Sequence, residues 1–245
     1  MTPIPTEKGE ARAAARKRIR IAKPLFRAIS GRANRDPGGL LPDQPPQSPP
    51  ERERRVLDLY QTGEPEAIRG LLALDGERIK SLGSVWEPAA GYGHLSREIE
   101  SFGLPCVVSD IADHGCPGVE VRSFYEYTEA RTRAIITNPP YAEINARDGH
   151  GRWLRHTLNM PGWRYCALLL SWDWPAARSN GLGALLDANP FSYCYLMRWK
   201  LDFTGEGSPP QRNAWFVWDR DWTGAEPAFR FMDRNLDARQ AELFA

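Results

Sequence analysis

The chain has 245 residues, 42% hydrophobic and 26% charged, with nine tryptophans and a mean hydropathy of −0.52. That length and composition favour one packed α/β domain with an appendage over two full domains, and they exclude a stapled mini-protein and a wholly disordered chain. Formal charge is +1, so overall charge indicates neither nucleic acid nor membrane, and no run of about 18 apolar residues offers a membrane span.

The distribution of charge says more. Residues 1–36 hold ten basic residues, including Arg16, Lys17, Arg18 and Arg20, against three acidic ones, a net of +7 that leaves −6 for the other 209 residues. A basic arm on a mildly acidic body suits a phosphate backbone, because each neutralised phosphate releases condensed counterions. A solvated tail explains the arm equally well. Six prolines between Pro37 and Pro50, with few apolar residues, read as a semi-rigid linker. Residues 1–50 are therefore expected to be a disordered arm and linker, and 51–245 the folded domain.

Ile68, Leu71, Leu72 and Leu74 predict a helix beginning at Pro65. Ser84 to Trp86 reads as a short strand, followed by a Gly-containing turn and a helix over His94 to Phe102 that stops at Gly103. Further strands are predicted at Cys106 to Ser109, Ala134 to Thr137, Tyr165 to Ser171, Tyr193 to Lys200 and Ala214 to Asp219, the last two joined by the Gly/Pro-rich loop Thr204 to Asn213. Strands alternating with helices, then a closing pair without a helix, predict a mainly parallel sheet with an antiparallel edge strand. Cys106, Cys116, Cys166 and Cys194 are widely spaced, with no C-x-x-C pair and no His at a zinc-site interval. This predicts a reduced, cytoplasmic protein without a structural metal.

Two motifs carry chemistry. Glu87-Pro88-Ala89-Ala90-Gly91-Tyr92-Gly93 stands between a strand and a helix, where glycines let the backbone approach a ligand at the helix N-terminus. Asp110 follows 23 positions after Glu87, at the end of the next strand, a spacing suited to a carboxylate that binds ribose hydroxyls. The third small position of the dinucleotide fingerprint is Ser96, which disfavours an NAD site. The second motif, Asn138-Pro139-Pro140-Tyr141, follows the strand Ala134 to Thr137. Consecutive prolines remove two N–H donors, and Pro139 keeps Asn138 extended. The turn offers an amide and a free carbonyl, acceptors for both hydrogens of an exocyclic amine, beside an aromatic face able to stack on a base.

With these motifs the sequence resembles the S-adenosylmethionine-dependent amino-methyltransferases, and among them the N6-adenine DNA methyltransferases, including compact phage and prophage ones. The resemblance runs from Tyr60 to Arg220 and takes in Tyr60 to Pro65 and Ala214 to Asp219. It implies a Rossmann-like class I methyltransferase fold with S-adenosylmethionine as cofactor. The cofactor would be held by Tyr60, Thr62, Glu87, Pro88, Ala89, Gly91, Gly93, Asp110, Ser123, Phe124 and Asn138. It implies methyl transfer to adenine N6 in DNA, with Asn138, Pro139, Pro140 and Tyr141 as the catalytic set. Ser123-Phe124 stands where the family usually carries Asp-Phe, and the 195 residues after the linker leave no room for a dedicated target-recognition domain. Nucleic-acid contacts are expected from Arg16, Lys17, Arg18, Arg20, Arg152, Arg155, Trp172 and Trp174, against a bland reading of the tryptophans as core or rim packing. RNA or glutamine side chains are alternative substrates, and a non-catalytic nucleic-acid-binding module is the alternative of another class. Size suggests a monomer or weak dimer.

Overall fold

A computed structural model of the chain describes residues 62–144, 151–176, 181–203 and 211–235. The arm, the linker with its boundary at residue 50, Tyr60 and most of the loop after Phe203 lie outside these residues.

Eight strands form one sheet: β1 (Val85–Glu87), β2 (Cys106–Asp110), β3 (Glu120–Val121), β4 (Ala134–Thr137), β5 (Tyr165–Ser171), β6 (Tyr193–Met197), β7 (Asn213–Asp219) and β8 (Ala228–Met232). Their order is β3-β2-β1-β4-β5-β7-β6-β8. β7 runs antiparallel to both β5 and β6, and every other pairing is parallel. The antiparallel strand therefore lies inside the sheet and not at its edge, because β6 pairs on its far side and β8 adds outside β6. β8 escapes the sequence pattern: Phe229, Arg230 and Phe231 are all exposed, so it lacks the apolar run of a buried strand. β4, β5 and β7, buried along nearly their whole length, read correctly as apolar runs.

Helices α1 (Glu66–Lys80) and α2 (His94–Ser101) cover one face. α1 starts directly after Pro65, which needs no N–H there, and sinks Ala67, Ile68, Leu71, Leu72 and Ile79 into the core. α2 ends ahead of Gly103, whose φ of 86° lets the chain turn back so that Leu104 N–H reaches Ile99 O. The other face is covered by the single turn α3 (Tyr141–Ile144), by α4 (Arg152–Asn159) and by α5 (Leu182–Ala188), over a core rich in tryptophan. No helix among the described residues is long and apolar enough to cross a membrane. The carboxyl ends of β1, β2, β4 and β5 thus share one edge of the sheet, and both sequence motifs follow strands that end there.

Candidate active site

The first wall of the site is the turn after β1. Gly91 and Gly93 adopt positive φ, 53° and 72°, and a Cβ on Gly93 would lie 2.6 Å from Cys116 Sγ, so only glycine fits. Asp110, 7% exposed at the end of β2, accepts the Gly91 N–H at 2.8 Å on Oδ2 and the Ala112 N–H at 3.3 Å on Oδ1. The carboxylate expected to bind ribose thereby also fixes the glycine turn. His114 Nε2 stands 3.9 Å from Asp110 Oδ1, and Tyr92, 39% exposed, lies against His94 and His114 with ring centroids 6.1 Å away in each case.

Glu87 is turned inward, 2% exposed, near Ser96 at the start of α2, whose hydroxyl donates to Gly93 O at 3.1 Å. Burial holds its carboxyl well above the usual carboxylate range, which the polar groups of Ser96 only partly oppose. Its Oε2 has no hydrogen-bond partner among the described residues. Pro88 is buried and Ala89 half-buried in the same turn. A cavity of about 300 Å3 lies on the outer side of this region, between α2, β2 and Cys116–Glu120, and no residue of the Asn138–Tyr141 turn lines it.

The second wall is Asn138 to Tyr141. Both prolines follow trans peptide bonds, and Glu143 N–H closes on Pro140 O at 3.0 Å to start α3. Asn138 donates Nδ2–H to Thr62 Oγ1 at 3.1 Å, across 76 residues. Thr62 is 7% exposed, so a buried hydroxyl holds the Nδ2 end of the amide, and Oδ1 is turned the other way. Tyr141 Oη accepts a hydrogen bond at 3.0 Å from Nδ2 of Asn213, the first residue of β7. Glu64, two positions after Thr62, accepts Asp202 N–H at 2.7 Å and Arg234 at 2.8 Å, which ties this segment to the far side of the sheet.

Other expected residues separate by environment. Phe124 is 6% exposed and stacked on Trp153 with centroids 4.2 Å apart, so its ring serves the core, while Ser123 stays half-buried at the start of the turn Phe124–Glu126. Trp172 is 49% exposed beyond the end of β5, whereas Trp174 is 6% exposed and donates its indole N–H to Ile144 O. Trp174 therefore supports α3 from below, as the bland reading had it, and has no face to offer a nucleic acid. Arg152 is bound by Glu143 and lies over the Tyr125 ring at 4.3 Å, with Tyr125 Oη donating to Glu143 at 2.7 Å, so its charge is already paired. Arg155 is half-buried beside Gly181.

Two residues were missed. Ile111, 60% exposed directly after Asp110, is an apolar surface beside a carboxylate, and an isoleucine just past a strand-ending Asp was signal enough. Asn213 was assigned to the loop before β7, and no spacing in the sequence links it to Tyr141.

Solved structures give the arrangement its fold name. A proposed class I S-adenosylmethionine-dependent methyltransferase from Listeria monocytogenes superposes with a TM-score of 0.50 at 11% identity, over 76% of this chain and 70% of that one. The fold is that of class I methyltransferases. A proposed RNA methyltransferase from Pyrococcus horikoshii matches with a TM-score of 0.50 at 14% identity, over 69% of this chain and 90% of the other. A type I restriction-modification methyltransferase subunit from Streptococcus thermophilus gives 0.50 at 13%, over 71% of this chain. This chain spans about half the length of that subunit, 47%. No protein-family model and no curated protein matches the sequence. S-adenosylmethionine is the cofactor expected of a class I methyltransferase fold.

Proposed function

We propose that the protein transfers a methyl group from S-adenosylmethionine to an exocyclic amine, that of adenine N6 in DNA. The observation that carries this reading is the Asn138 amide, held by the buried Thr62 hydroxyl at the carboxyl edge of β4 and followed by two prolines and a tethered tyrosine.

The residues fit the cofactor. Gly93 admits no side chain, Asp110 would take ribose hydroxyls beside the exposed Ile111, and Glu87 Oε2 is a buried acceptor for which the described residues supply no donor. Ser123 is the residue left to bond the cofactor's adenine. When bound, the cofactor supplies a methyl on a sulfonium, activated enough that no strong base is needed.

The chain's own part is position and desolvation. Asn138 Oδ1 and the Pro139 carbonyl accept the two amine hydrogens and set the nitrogen lone pair for in-line attack. Thr62 anchors the Nδ2 end of the amide. Tyr141 stacks on an adenine swung out of the duplex, since the amine is out of reach inside a stacked helix. Trp172 stands exposed at the same edge as a further aromatic surface, and the arm with Arg16, Lys17, Arg18 and Arg20 supplies backbone contacts.

The test is methyl transfer from labelled S-adenosylmethionine to unmethylated genomic DNA, with total RNA and a protein extract alongside, read by mass spectrometry of the products. N6-methyladenine in DNA is the expected result. Label in RNA or on glutamine keeps the mechanism and replaces the substrate. No label and no cofactor binding at millimolar concentration leaves a non-catalytic binding module.

A further inference from the structure

The first residue of β7 is a buried asparagine, ahead of five apolar residues and the closing Asp219. Asn213 is 0% exposed, and it is followed by Ala214, Trp215, Phe216, Val217 and Trp218, all buried. Its Nδ2 donates to Tyr141 Oη at 3.0 Å and to Leu170 O at 3.4 Å. Its Oδ1 is buried and has no partner among the described residues. An apolar residue of similar size would avoid that unsatisfied acceptor, so this position is poorly chosen for stability alone. What the amide gains is a hold on Tyr141.

That hold matters because of where the ring begins and ends. Tyr141 opens a helix of only four residues, so its backbone has little helical support of its own. β5 lies between β4, which delivers Tyr141, and β7, which delivers Asn213. The tyrosine side chain therefore spans the carboxyl edge of β5, fixed by its Cβ at one end and by its hydroxyl at the other. Two fixed ends define a ring axis, and stacking on a planar base demands a ring that does not swing.

We infer that Asn213 is a positioning residue that locks the Tyr141 ring across the carboxyl edge of β5, so that antiparallel strand β7 supplies half of the stacking platform for the target base. This rests on the methyl-transfer reading for its purpose, but the lock itself is a property of the chain.

The experiment uses the full chain in four forms: wild type, Asn213→Ser, Tyr141→Phe and the double variant. Asn213→Ser lowers turnover on DNA roughly 10- to 100-fold through misplacement of the ring, with KM for S-adenosylmethionine and the melting temperature little changed. Tyr141→Phe keeps the ring and loses its hydroxyl, so in that background Asn213→Ser has no further effect on turnover. In parallel, NMR of 13C-labelled tyrosine, with the Tyr141 signals assigned by Tyr141→Phe, reports an ordered ring in the wild type and a mobile one in Asn213→Ser. Equal losses from Asn213→Ser in both backgrounds, or a Tyr141 ring that stays ordered in Asn213→Ser, overturn the proposal. A wild type that methylates no nucleic acid while its ring is ordered by Asn213 removes the substrate reading and leaves the lock standing.

Discussion

The two ends of the sheet handle buried carboxyl groups in opposite ways. At the amino end of β5, Asp75 of α1 accepts Tyr165 Oη at 2.7 Å on one oxygen and Tyr195 Oη at 2.8 Å on the other. Nearby, Arg78 pairs with Asp219 at 2.8 Å and with Asp221 at 2.5 Å. Each Asp75 oxygen has a donor, and the cluster is closed. At the carboxyl end of β1, Glu87 is buried more deeply still, and its Oε2 has no partner among the described residues. A closed cluster holds elements together, while an incomplete one at the edge where open α/β sheets bind ligands is a place for something else to complete.

The comparison breaks most visibly if function and stability fail to separate between the ends. Asn138→Ala removes the oriented acceptor and leaves the core untouched, so methyl transfer falls on the order of 100-fold or more with an unchanged melting temperature. Wild-type transfer by this variant would remove Asn138 from the mechanism. Asp75→Ala does the reverse: two tyrosine hydroxyls lose their acceptor, which costs about 2–3 kcal/mol in urea unfolding, with turnover per folded molecule unchanged. A loss of turnover in that variant without a loss of stability would mean that the two ends are coupled.

Much of this was legible in the sequence. Ala134–Thr137 and Tyr165–Ser171 coincide with the predicted strands because central parallel strands are apolar on both faces. The turns around Gly91 and Pro139 announce themselves, because glycine and proline restrict the backbone locally whatever surrounds them. Strand order was not legible: nothing in Ala228–Met232 marks an edge strand, and no local pattern says that β7 inserts between β5 and β6. The contacts that orient the site were illegible for a related reason. Thr62 and Asn138, and Tyr141 and Asn213, meet across 76 and 72 residues, and such pairing is decided by topology and not by local pattern.

A finer probe of the site end is Thr62→Val, which keeps the shape of the side chain and removes its oxygen. The Asn138 amide loses the bond that anchors its Nδ2 end, so turnover drops roughly tenfold when initial rates are compared at saturating S-adenosylmethionine. An unchanged rate would mean that the double proline alone orients the amide, and that the link from Thr62 to Asn138 belongs with the structural contacts.

The smallest expected effect is the pH response of Glu87. Burial raises its folded-state pKa, so above the ordinary carboxylate range the unfolded chain releases a proton that the folded chain still holds. Its favourable contribution is therefore complete below that range and is lost as the pH rises towards the folded-state value. Ser96 and the Arg97 charge oppose the burial and so narrow the pH window, within which the slope approaches the roughly 1.4 kcal/mol per pH unit that one proton allows. Glu87→Gln carries no titrating proton, and its melting temperature gains on the wild type as the pH moves from mildly acid to mildly alkaline. If Glu87 Oε2 is the acceptor the cofactor completes, the same variant binds S-adenosylmethionine less tightly by calorimetry. A gain in alkaline stability with unchanged affinity would make Glu87 a counterpart of Asp75, a helix-start support that happens to lie at the other end of the sheet.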